Sequence, residues 1–76
     1  MNKSRRDELS AIGERITACV IDLEAVRDEE QEAYDNMPES LQRGDQGSAA
    51  EGTICALEEA LNHLYDASNN IAETQA

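Results

Sequence analysis

Glu30 stands where a carboxylate is costly. Alternating steps of three and four through Leu9, Ile12, Ile16, Cys19, Leu23, Val26, Glu30, Ala33 and Met37 read as a heptad seam, and Glu30 is its one charged member. A buried carboxylate needs a partner, and such groups serve catalysis or bind metals. Near the end of a seam the expected behaviour is simpler: the carboxylate bends to water and the residue fixes register, as single polar seam residues do. The run Glu29-Glu30-Gln31-Glu32 supplies one acidic pair, and no matching acidic cluster follows on the next helix, so no metal ion is expected. His63 follows Glu59 by four residues, whereas di-metal bundles use Glu and His three apart on two helices. Cys19 has no histidine facing it and reads as core filling. With no Gly-rich phosphate loop, nucleophile elbow or zinc spacing, the chain is expected to be no enzyme and to need no cofactor.

The elements that carry these residues form two helices. The first is predicted over about residues 4–36, opened by Ser4 with Asp7 in a shortened capping box and closed by Met37-Pro38. A loop follows over about 37–47, within which Pro38 to Leu41 can add one turn. Ser48 with Glu51 is a capping box for the second helix, about 48–72, whose seam runs through Ala50, Ile54, Leu57, Leu61, Leu64, Ser68 and Ile71. A loop this short makes the helices antiparallel. Aligning the seams puts Ala33 against Ile54, Val26 against Leu61, Leu23 against Leu64 and Ile16 against Ile71. The same alignment pairs Arg27 with Glu58 and brings Gly13 to Ala72, while Leu9 and Ile12 overhang the second helix. The fold class is all-α: an antiparallel, coiled-coil-like helical hairpin in a single domain.

A chain of 76 residues with no Trp or Phe has a thin core. Pairing of two hairpins into a four-helix dimer is the natural way to add buried area, with Leu9, Ile12, Val20, Tyr34 and Tyr65 as the expected oligomer interface. Antiparallel alignment holds Cys19 about two turns from Cys55, so both thiols are expected reduced, as in cytoplasm. No apolar run approaches the roughly 18 residues of a spanning helix, and no membrane association is expected.

Charge points to a partner. Residues 1–21 carry Lys3, Arg5, Arg6 and Arg15 against three acids, whereas residues 22–66 carry thirteen acids against Arg27 and Arg43, a net of −11. Glu24, Asp28, Glu32, Asp35 and Glu39 recur at steps of four, four, three and four. On a helix their carboxylates repeat about every 6 Å, comparable to the phosphates along a nucleic-acid strand. Such a row suits a basic groove built for DNA. Acidic outer faces also occur for solubility alone. Direct nucleic-acid binding by the chain itself is disfavoured by like charge.

The run from Arg27 to Gln42, RDEEQEAYDNMPESLQ, resembles the signature of a family of small acidic helical proteins of phage and prophage genomes. The basic start and the A-L-E-E-A run from Ala56 to Ala60 fit the same family, while Cys55, His63, Tyr65 and Asn69 make this second helix less charged than the family's. The family has no assigned activity. The resemblance implies a phage context, a place in the host cytoplasm, and the inhibition of a basic host nuclease, restriction enzyme or CRISPR effector as the type of function. Together with the acidic row, the expectation is a non-enzymatic counter-defence protein that blocks a nucleic-acid-handling host protein. The alternative expectation is a structural adaptor whose apolar seam binds a partner helix.

Overall fold

The computed structural model describes residues 1–75. Helix α1 (Lys3–Asp35) is capped two residues earlier than its hydroxyl signal suggests, by Asn2 and not Ser4: the Asn2 side chain accepts the Arg5 amide at 2.8 Å. Nothing interrupts the helix for 33 residues, and the Thr17 hydroxyl donates back to the Gly13 carbonyl at 3.1 Å. It stops where the Pro38 ring excludes a continuing helix. The Asn36 amide still reaches Glu32 O at 3.0 Å, and Met37 turns back on Tyr34 O at 3.1 Å.

A single turn, α2 (Glu39–Gln42), starts from Pro38, and Arg43 closes it with a 2.7 Å ion pair to Glu39. Helix α3 (Asp45–Glu73) then begins three residues before the capping box at Ser48, from a Gly44 cap without a side-chain bond. The early start has a packing cause. Gly47 is buried in the first turn of α3 with the Gln42 backbone seated directly against its α-carbon, leaving no room for a side chain. Gln42 also donates from its Nε2 to the Tyr34 carbonyl at 2.8 Å, so one residue ties the end of α1 to the start of α3.

The two long helices pair antiparallel into a rod 58 × 14 × 14 Å. Cross-helix contacts join Tyr34 to Glu51, Glu24 to Tyr65 and Gly13 to Ile71, within about a turn of the register expected from the seams. The seam of α3 is the expected one, with Ile54 and Leu61 buried and Ala50, Leu57, Leu64, Ser68 and Ile71 half-buried. The seam of α1 is not. It runs through Leu9, Gly13, Ile16, Val20, Leu23, Arg27, Gln31 and Tyr34, while Cys19, Val26 and Ala33 are exposed.

Either of two columns, three or four residues beyond Leu9, Ile16 and Leu23, completes a heptad seam on α1. The more apolar column was expected, but the other faces α3. Gly13 in that column permits close approach, with Ile71 Cγ2 3.5 Å from the position a β-carbon would occupy. Arg27 and Tyr34 lay their stems along the seam and keep polar tips outside it. Arg27 consequently bonds its sequence neighbour Asp28, Nε to Oδ1 at 3.0 Å, and not Glu58. Leu9 and Ile12 do not overhang as free apolar residues: α3 extends to Glu73, and both are half-buried.

Candidate interaction faces

A pair of helices is a layer with two broad faces, and the rotated seam gives this one two different chemistries. At about 100° per residue, the positions on one side of the α1 seam are Glu24, Asp28 and Asp35, with Glu32 further round. Antiparallel pairing sets beside them the α3 column of Glu51, Glu58 and Tyr65. Two hydrogen bonds cross this face. The Tyr65 hydroxyl donates to Glu24 Oε2 at 2.8 Å, and the Tyr34 hydroxyl donates to Glu51 Oε1.

The five acids expected to meet a partner are not equivalent. Glu24 is half-buried and accepts from Tyr65, Asp28 accepts from Arg27, and Asp35 accepts from Gln31 Nε2 at 3.0 Å. Glu39 lies in α2, beyond the break at Pro38, where it pairs with Arg43. The part of the row on α1 therefore consists of Glu24, Asp28 and Asp35, with Glu32 further round the helix. Glu51 and Glu58, which the row alone does not include, extend it across the second helix. They were within reach of sequence reasoning, because the expected register already sets Tyr34 near residue 51 and Tyr65 near residue 24.

Both tyrosines serve the acidic face from within one hairpin. Donation to Glu51 raises the Tyr34 pKa above its ordinary value, and donation to Glu24 does the same for Tyr65, since each bond exists only while the phenol keeps its proton. A group whose folded pKa is raised contributes fully below the unfolded value, near 10 for tyrosine, and loses that contribution as pH climbs through the folded value. Thermal melts between about pH 9 and 11 are thus expected to show a falling midpoint. In a Tyr34→Phe, Tyr65→Phe variant the fall should be smaller; an unchanged slope would mean that the bonds contribute nothing.

The opposite face is apolar. On α1 it presents Ile12, Cys19, Leu23, Val26 and Ala33, of which Val26 is 47% exposed, with Glu30 half-buried among them. On α3 it presents Leu57, Ala60, Leu64 and Ala67, all half-buried. Of the five residues expected at an oligomer interface, Ile12 lies on this face. Leu9 lines a shallow groove at the open end with Gly13, Thr17, Ser68 and Ile71. Val20 is buried between the helices, and Tyr34 and Tyr65 belong to the acidic face.

Among the described residues no group of three His, Cys, Asp or Glu side chains is placed to hold a metal ion. His63 approaches Glu59 at 3.9 Å on the exposed surface, and Cys19 and Cys55 are both free and exposed. Cys19 is therefore surface, not core filling. No helix of the described residues is long and apolar enough to cross a membrane. No protein-family model, curated protein or solved structure gives a significant match to the chain.

Proposed function

We propose that this chain is a non-enzymatic binding protein of phage origin that blocks a basic, nucleic-acid-handling protein of the host, using its acidic face as the docking surface and working in the host cytoplasm as a dimer of hairpins. One observation carries the reading: carboxylates of both long helices gather on one broad face of the helix pair, with tyrosine bonds joining the helices there. The row Glu24, Asp28, Glu32 and Asp35 offers charge at a spacing suited to a groove that otherwise holds phosphates. The likeness of RDEEQEAYDNMPESLQ to small acidic phage proteins supports the setting.

Asp28→Asn, Glu32→Gln and Asp35→Asn together remove charge from exposed positions while leaving the Tyr65 bond to Glu24 in place. The tagged native protein, incubated with host lysate, is expected to retain a basic nucleic-acid-binding protein that both rising salt and duplex DNA release. The triple variant should lose most of that retention with helicity unchanged. If instead a partner stays bound by the variant and at moderate salt, the acidic face is only solvated surface. The adaptor alternative, in which the apolar face holds a partner helix, predicts that second result.

A further inference from the structure

Val20, Ile54 and Leu61 are the only buried apolar side chains among the described residues. The chain exposes 5476 Å², about 900 Å² more than the roughly 4,600 Å² expected of a compact monomer of 8.3 kDa. One partner in a standard protein interface gives up about 800 Å². The excess thus corresponds to one protein-sized contact, and the apolar face is where the exposed Val26 adjoins the half-buried Ile12, Leu23, Leu57 and Leu64.

We infer that a second copy of this chain covers the apolar face, running antiparallel to the first about a twofold axis beside Leu23 and Leu64. This deepens the dimer part of the proposed function and is independent of what the acidic face binds. A twofold axis lets two such layers meet in two ways. With the axis along the rod, both loops lie at one end and α1 rests on α3 of the second copy. With the axis across the rod, the loops lie at opposite ends, α1 rests on α1 and α3 rests on α3.

Charge selects between them. Residues 22–66, the loop half, carry a net of −11, whereas the first 21 residues carry +1. A parallel dimer would set two strongly negative halves side by side, at separations not much larger than the screening length of about 8 Å. The antiparallel dimer sets each loop half against the nearly neutral open half of the other copy. Maximal overlap then places the axis at the middle of the face, which is Leu23 between Ile12 and Ala33 on α1 and, level with it across the pair, Leu64 on α3. Leu64 meets its own copy, with Ala60 and Ala67 leaving space around it. Glu30 falls at the level of Arg15 and Ile16 of the second copy, which gives the half-buried acid on this face a basic partner and fixes the register.

Sedimentation and oxidative cross-linking test this together. In a Cys19→Ala, Cys55→Ala background, Leu23→Cys and Leu64→Cys are each expected to form a covalent dimer when made singly. Ile21→Cys, at a position 61% exposed and off the face, should not. The native protein should sediment as a dimer at micromolar concentration. Cross-links only between a Leu23→Cys chain and a Leu64→Cys chain would establish the parallel arrangement and overturn the inference. A folded dimer in which neither leucine position cross-links would overturn the choice of face, and a folded monomer would overturn the dimer itself. None of these outcomes bears on the charge-neutralised triple variant, so failure here and failure of the acidic-face reading are separately visible.

Discussion

Leu61→Ala is expected to remove a large part of the stability of this protein, lowering the thermal midpoint by about 10 °C or more. Leu61 is 1% exposed and is the only described side chain buried completely. Leucine truncation at such a site costs about 2–5 kcal/mol, through lost transfer energy and through the cavity that remains. A chain of 76 residues has a total stability of only about 4–11 kcal/mol. The loss is severe here because Val20 and Ile54 are the only other buried apolar side chains described, so little of the interhelical core remains once Leu61 is truncated. Circular-dichroism melts of Leu61→Ala beside Ile21→Ala, the latter at an exposed position, give the comparison. Equal midpoints would mean that the interhelical core does not hold the hairpin together.

Gly47→Ala should be nearly as damaging, and in the opposite direction from the same substitution five residues later. A β-carbon at Gly47 would sit inside van der Waals contact with the carbonyl and α-carbon of Gln42, which are backbone atoms and cannot swing aside. Either α2 is displaced or the first turn of α3 unwinds. Overpacking of this type costs about 1–3 kcal/mol, and here it also strains the Gln42 bond to Tyr34 O. Gly52 has nothing within 4 Å of its β-carbon position, so Gly52→Ala should stabilise α3 by about 0.5–1 kcal/mol, the ordinary gain of alanine in a helix. Paired denaturant titrations read both. A Gly47→Ala variant as stable as Gly52→Ala would show that the corner yields freely.

The α3 seam was legible in the sequence because only one column of that helix, Ala50 to Ile71, is apolar enough to qualify beside Ile54 and Leu61. On α1 two columns qualified, and counting apolar residues favoured the wrong one. What decides between them is not hydrophobicity but shape: Gly13 lets the backbones approach, and Arg27 and Tyr34 are long enough to cover a seam while their ends reach water. The helix ends show the same limit. Pro38 was readable as a stop, whereas the start of α3 at Asp45 was not, since the polar run Gln42 to Gly47 has loop composition and only the fit of Gln42 against Gly47 makes it a packed corner. The acidic row was visible at once, but its continuation onto Glu51 and Glu58 needed the register as well.

Because the acidic and apolar faces lie on opposite sides of one layer, a dimer joined through the apolar faces is bivalent: its two acidic faces look outward in opposite directions. A target that is itself oligomeric, or that lines a nucleic acid in several copies, would be gripped twice. The second attachment would then proceed at the effective concentration set by a short rigid rod, so that modest contacts add up to tight retention. A monomeric target would be bound two to a dimer and gain no such avidity. The hairpin 58 Å long would then act less as a plug for one groove than as a clamp between two.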